Sequence, residues 1–451
     1  MPKKYYFAAA FTTLLLAGAS HQAQASEVKV EAELGQSVLS SAKAGHVYLR
    51  LNLKAQAAAK EARRAPVNIA LVLDRSGSMQ GARLAAAKEA AKMALARLGR
   101  DDTIAVVSFS SGVEVMQAAT HLVDQTALKA KIEAMRADGQ TALYAGVMEG
   151  GREAKKFLEP SRINRVILMS DGQANVGPSS PKELAELGRE LGGKGITVTT
   201  IGLGLDYNED LMQRLAAASD GNHAFAENPA DLVKFFNSEF GDALNVAAQD
   251  LIITIEVKSG FTPHRVLNRE GTIDGQRITL KLNHLQTDTD RSIVVELDTA
   301  AGRSEGDADV ADVTVDYLDL DASARRKSSA RLGARFSASD GDVDASLNKS
   351  VSAQVTAQIA TEQNEKALEL RDSGDVAGAK KLLQDNAAFL NFSRKNLMLG
   401  ISPAAPAAAA ALDEQEKQNR AEADGLDADK WDKTRKMMRT QQHKTKSGQS
   451  Y

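Results

Sequence analysis

The chain has 451 residues, long enough for about two to four ordinary domains. Hydrophobic residues at 43% and charged residues at 25% describe a folded soluble protein, and a net charge of −3 gives no global case for nucleic-acid binding. No cysteine is present, which excludes disulfides, Cys-ligated zinc, iron–sulfur clusters and thiol catalysis.

The N-terminus places Lys3 and Lys4 ahead of an apolar stretch from Phe7 to Ser20, followed by Ala23-Gln24-Ala25 before Ser26. That order predicts a cleaved signal peptide over residues 1–25 and a periplasmic or secreted mature protein. The apolar stretch is short for a full membrane span. Residues 26–60 form an N-terminal β segment, in which Val47, Leu49, Leu51 and Leu53 alternate with polar residues. The segment is too small to bury a core alone and needs a partner sheet. Gln56 to Ala65 reads as a charged, Ala-rich linker.

Over residues 66–247 buried apolar runs alternate with amphipathic segments. Val67 to Leu73, Ile104 to Phe109, Asn164 to Met169 and Ile196 to Ile201 read as strands buried on both faces. Val113 to Met116 and Asn222 to Glu227 add short strands. Gly81 to Leu98, Thr126 to Met135, Ala142 to Phe157, Pro181 to Leu191, Asp210 to Ala218 and Asp231 to Ala247 read as helices. This alternation predicts an α/β fold, a doubly wound, Rossmann-like parallel sheet with helices on both faces.

Residues 250–320 return to period-two alternation and predict an antiparallel, sandwich-like β module. The strands of residues 26–60 are its natural partners, so the α/β domain is expected as an insertion in one β module. Ser304 to Asp309 lacks the ligand spacing of a calcium loop and reads as a solvated hairpin. Asp321 to Leu347, poor in large apolar residues, reads as a linker of marginal structure. Residues 350–395 predict a helical hairpin of tetratricopeptide kind, which docks onto the β module because one unit cannot form a solenoid. Residues 396–451 read as an Ala/Pro linker, Pro403 to Ala411, and a charged, disordered tail. That tail ends basic with Lys430, Lys433, Arg435, Lys436, Arg439, Lys444 and Lys446, for which weak contact with an anionic surface is the functional reading.

The chemistry gathers at strand ends. Asp74-x-Ser76-x-Ser78 leaves the first buried strand, Gly139-x-Thr141 precedes a helix, and Asp171-Gly172 leaves another strand. In an open parallel sheet these loops share one edge. A lone Asp-x-Ser-x-Ser is an ordinary helix start, since Asp and Ser cap helices well. Three small oxygen donors with Thr141 and Asp171 beside them suit a hard cation instead.

On these residues the stretch from about Pro66 to Ala247 resembles the von Willebrand factor type A domain with its metal-ion-dependent adhesion site. The resemblance implies that Asp74, Ser76, Ser78, Thr141 and Asp171 bind a divalent cation, Mg²⁺ or alternatively Mn²⁺ or Ca²⁺. It also implies adhesion or scaffolding, with a partner protein supplying an Asp or Glu to the metal. The flanking β segments are loosely similar to the arrangement in inter-alpha-trypsin inhibitor heavy chains. Membrane-associated regulation, by likeness to calcium-activated chloride channel relatives, is the alternative function. An enzyme is not expected: no histidine stands by a nucleophile, and neither a Gly-x-Ser-x-Gly elbow nor a phosphate loop occurs. His121 and His223 read as surface or packing residues. Asp101 and Asp102 read as turn residues, and Asp206, Glu209 and Asp210 as loop and helix-start acids.

Overall fold

The computed structural model describes residues 28–55, 65–121, 124–171, 174–205, 207–287, 289–399 and 405–447. The segment expected to be a signal peptide, the linker over 56–64, Gly172 and Asp206 lie outside the described residues. The elements in chain order begin with β1 (Val28–Leu34), β2 (Val38–Ser40) and β3 (Gly45–Ala55). The α/β part follows with β4 (Val67–Asp74), α1 (Ala82–Arg97), β5 (Thr103–Phe109), β6 (Val113–His121), α2 (Gln125–Ala134) and α3 (Leu143–Lys155). It continues with β7 (Ile163–Ser170), α4 (Pro181–Gly192), β8 (Ile196–Leu203), α5 (Glu209–Ala218), β9 (His223–Ala226) and α6 (Pro229–Leu244). A β-rich part comprises β10 (Val246–Val257), β11 (Phe261–Val266), β12 (Thr272–Asp274), β13 (Arg277–Gln286), β14 (Asp290–Thr299), β15 (Gly306–Asp319) and β16 (Ala324–Ser337). Helices α7 (Asp340–Ala345), α8 (Lys349–Asp372), α9 (Val376–Leu397), α10 (Ala405–Asp424) and α11 (Ala428–Ser447) close the chain.

The α/β sheet has the order β6-β5-β4-β7-β8-β9. Every residue of β4 is buried, because helices cover both faces. Its side chains divide by parity. Val67, Ile69, Leu71 and Leu73 pack toward α1 and α6, whereas Ala70 and Val72 pack toward α3, α4 and α5. The sheet is parallel except at one edge, where β6 runs antiparallel to β5. The edge strand reaches His121, beyond the Met116 expected from sequence. Its residues are exposed or half-buried, so no continuous apolar run marks its length.

The β-rich part is a sandwich of two sheets, ordered β1-β3-β14-β11 and β12-β13-β10-β15-β16-β2. Strand β3 lies between β1 and β14, with Leu51 opposite Ile293. Leu49, Leu51 and Leu53 share one core with Ile253, Ile255, Val313 and Phe336. The α/β domain is therefore inserted between two stretches of chain that build one sandwich.

Three expectations are corrected. Asp321 to Leu347 is not a marginal linker: β16 pairs with β15 over most of its length and runs parallel to β2, and α7 follows it. Its inward residues Leu332, Ala334 and Phe336 suffice for burial, while Arg325 and Arg331 on the outside bond Asp316 and Asp312. The acidic stretch Ser304 to Asp309 is not a solvated hairpin either, since β15 begins at Gly306. The tail after residue 396 is not a disordered segment among its described residues: it forms α10 and α11. Leu412 packs with Ala360 and Leu390, and Leu426, Trp431 and Met438 pack with Leu368 and Leu383.

Helix α8 docks on the sandwich, as Val351 and Val355 pack on Leu267 and Val294. Helix α11 reaches back to the α/β domain. Arg435 bonds Glu209, Asp210 and Asp372, Lys436 bonds Glu209, and Arg439 pairs with Asp210. Glu209 and Asp210, read from sequence as helix-start acids only, are thus the anchors of a distant helix. Much of the tail's positive charge is neutralised within the chain and does not form a free basic surface.

Candidate metal centre

The buried run of β4 delivers Asp74 to the sheet edge, where the chain leaves the core. Ser76 and a short 3-10 turn over Gly77–Met79 follow, and the buried Met79 pins that turn to the core. Strand β7, next to β4, ends at Ser170 and brings Asp171 to the same edge. The loop carrying Thr141 arrives from the start of α3.

Backbone bonds join the first two loops. Asp138 N donates to Arg75 O at 2.8 Å, Gly77 N donates to Gly139 O at 3.0 Å, and the Arg75 guanidinium pairs with Asp138. Gly139 has φ +68°, and a Cβ there would stand 2.6 Å from Ser111 Oγ, so only glycine fits. Thr141 is held from the third loop: its N–H donates to Asn175 Oδ1 at 2.7 Å, and its carbonyl accepts from Asn175 N at 3.2 Å.

The side chains form a chain of oxygens. Asp74 Oδ1 accepts from Ser76 N at 2.7 Å, and Asp74 Oδ2 accepts from Ser170 Oγ at 2.5 Å. Ser76 Oγ lies 3.1 Å from Ser78 Oγ, and Ser78 Oγ donates to Asp171 Oδ1 at 2.8 Å. Asp171 Oδ2 accepts from Arg83 Nη1 at 2.5 Å. Asp74, Ser76, Thr141 and Asp171 are all buried. Asp74, Ser76, Ser78 and Asp171 are thus joined in one run of hydrogen bonds, with Ser78 linking the two carboxylate loops, and Thr141 is placed beside them through its backbone.

Burial pushes the Asp74 carboxyl up to about 6; hydrogen bonds from Ser170 and Ser76 oppose the rise, and the charge of Asp171 adds to it. Its two bonded donors are both neutral. A carboxylate in that position lacks compensating positive charge, which a divalent cation supplies. Two carboxylates and three hydroxyls match the hard-oxygen preference of Mg²⁺ and balance its charge without exceeding it. The residues fit the group. Among the described residues no cluster of three or more His, Cys, Asp or Glu offers an alternative metal site.

Sequence reasoning missed Ser170, Asn175 and Arg83. Ser170 stands directly before Asp171, and Arg83 lies in the first turn of the helix after the first motif, so both were within view. Their contacts depend on strand register and loop path, which no local pattern encodes.

Residues 68–238 match the family model described as von Willebrand factor type A domain. That stretch is a von Willebrand factor type A domain. It is 28% identical over 249 residues to protein sll0103 of Synechocystis sp., covering 52% of this chain and 58% of that one. Human inter-alpha-trypsin inhibitor heavy chain H3 is 31% identical over 171 residues, 36% of this chain and 19% of that one. The chain thus spans only part of the length of these relatives. Two solved structures share the fold over nearly the whole chain. A von Willebrand factor type A protein from Catenulispora acidiphila has TM-score 0.68 at 19% identity, covering 88% of this chain and 98% of that one. The ArnB paralog VWA2 from Sulfolobus acidocaldarius has TM-score 0.62 at 16% identity, covering 94% and 100%. The von Willebrand factor type A assignment therefore agrees with the sheet, and the wider likeness extends to the sandwich and helices. Domains of this family typically mediate protein–protein interaction.

Proposed function

We propose that the protein is an exported binding module that holds Mg²⁺, or Mn²⁺ or Ca²⁺ in its place, through Asp74, Ser76, Ser78, Thr141 and Asp171. A protein partner completes the site with an Asp or Glu carboxylate. The observation that carries this reading is the hydrogen-bonded run of Asp74, Ser76, Ser78 and Asp171 at one sheet edge, with Asp74 buried against neutral donors and the Thr141 loop tied to it through Gly77 and Gly139. Hydroxyls contribute oxygen without charge, so the ion keeps its attraction for an outside anion. Asp74 and Asp171 supply the negative charge, Ser76 and Ser78 bridge them, and Asn175 fixes the Thr141 loop. Binding rather than catalysis is favoured by what stands nearby: the buried histidines His223, His284 and His443 are used in packing away from this edge, where His223 bonds Thr200 and His284 lies against Arg165. Export is inferred from the basic, apolar and small-x-small order of residues 1–25.

The test is affinity capture from the native extracellular or periplasmic fraction, run with Mg²⁺ and with EDTA. A specific partner is expected to be retained with Mg²⁺ and released by EDTA. Equal recovery under both conditions contradicts metal bridging.

A further inference from the structure

Arg83 stands outside the five oxygen-bearing residues, yet its guanidinium reaches one of them. It lies in the first turn of α1, and its Nη1 donates to Asp171 Oδ2 at 2.5 Å, while Ser78 Oγ donates to Asp171 Oδ1 at 2.8 Å. The Asp171 side chain is wholly buried and that of Arg83 is 31% exposed. Behind the guanidinium runs the chain leaving β8. Gly204 there has φ +71°, and a Cβ at that position would stand 2.9 Å from Arg83 Nη2. A bare glycine thus leaves the space that the guanidinium fills between the ends of β7 and β8.

Asp74 and Asp171 are two acids of one buried site, and the charge of Asp171 raises the cost of ionising Asp74. Asp74 is bonded by neutral donors, so the guanidinium on Asp171 is the charged partner among the contacts described for the pair. A cation bound at the site shares Asp171 with Arg83. Two positive charges on one carboxylate repel, more strongly where water is excluded. An uncharged donor in place of the guanidinium would keep Asp171 oriented toward Ser78 and remove that repulsion.

We propose that Arg83 is the built-in counter-cation of the site, neutralising Asp171 in the metal-free protein and weakening the hold on the divalent ion so that it exchanges. The proposal rests on the reading of Asp171 as part of the metal site. Arg83 acts through Asp171 and is a positioning and affinity-setting residue.

The test is MgCl₂ titration calorimetry on the full chain as wild type, Arg83→Gln and Arg83→Lys, with thermal unfolding of each in EDTA and in saturating Mg²⁺. Glutamine keeps a donor for Oδ2 without charge; lysine keeps the charge. Arg83→Gln is expected to bind Mg²⁺ about tenfold more tightly than wild type, and Arg83→Lys within about threefold of it. In EDTA the glutamine variant melts below wild type, and Mg²⁺ closes the gap. Equal or weaker binding by Arg83→Gln overturns the proposal and leaves Arg83 an orienting residue only. If neither wild type nor Arg83→Gln takes up Mg²⁺, the metal reading itself fails and this inference with it. If Arg83→Gln folds only with metal, melting temperature against MgCl₂ concentration replaces calorimetry. The variant's curve must then rise more steeply than that of wild type, and equal slopes overturn the proposal.

Discussion

Asp74 is committed to its position by the eight buried residues of β4, which cannot shift register by one without exchanging the side chains packed on α1 and α6 for those packed on α3, α4 and α5. The carboxylate that emerges is held by Ser76 and Ser170, and the loop facing it depends on the left-handed turn at Gly139. Gly139→Ala is expected to destabilise the protein by about 1–3 kcal/mol in urea unfolding, through backbone strain and the clash with Ser111. It should also weaken divalent-cation binding, because the Gly77 N–H bond to Gly139 O ties the first loop to the second. Asp74, Ser76, Ser78, Thr141 and Asp171 were legible in the sequence, because each sits at a strand end or helix start. Ser170, Asn175 and Arg83 were not, because their partners are set by which strands lie side by side.

Helix α11 shows how charge patterning misleads when partners are remote. Its sequence looks like a solvated basic tail, but Arg435 is matched to Glu209, Asp210 and Asp372 on two other helices. Arg435→Glu places a fourth carboxylate against those three and is expected to cost about 3–5 kcal/mol by denaturant unfolding. A loss under about 1 kcal/mol means that α11 is not clasped to α5. The same helix carries His443, whose ring meets that of His223 edge-on with centroids 6.3 Å apart. Burial holds His443 down to about 4, and His223 and His284 down to about 3. The unfolded chain protonates these histidines near pH 6.5, and the fold does so only well below that. Their contribution is therefore full above about pH 6.5 and is lost as pH falls toward 4. Unfolding free energy measured at pH 7 and pH 5 is expected to differ by about 1–2 kcal/mol per histidine. Equal stability at the two pH values contradicts the buried, neutral assignment.

At the scale of the molecule, one sandwich is built from the two ends of an interrupted stretch of chain. The alternation in residues 26–60 and 250–320 announced that partnership, because the N-terminal segment is too small to bury a core alone. Strand β16 escaped notice because its outer face is arginine, serine and lysine, and its buried residues are few. Leu51 and Ile253 lie far apart in sequence on either side of the α/β domain, yet they belong to the same core. Leu51→Ala is expected to cost about 2–5 kcal/mol in urea unfolding, as for a fully buried leucine. A loss below about 1 kcal/mol means that the N-terminal strand is not part of the sandwich core.

The central claim is that the converged oxygens bind a divalent cation, and Mg²⁺ titration calorimetry on wild type and Asp74→Asn tests it most directly. Asparagine keeps the shape of the carboxyl group that burial already favours in its neutral form, so the fold is expected to persist. The wild-type protein should bind one ion per chain, and Asp74→Asn should bind at least about tenfold more weakly. Wild-type affinity in Asp74→Asn, or no binding by either protein, would contradict the account.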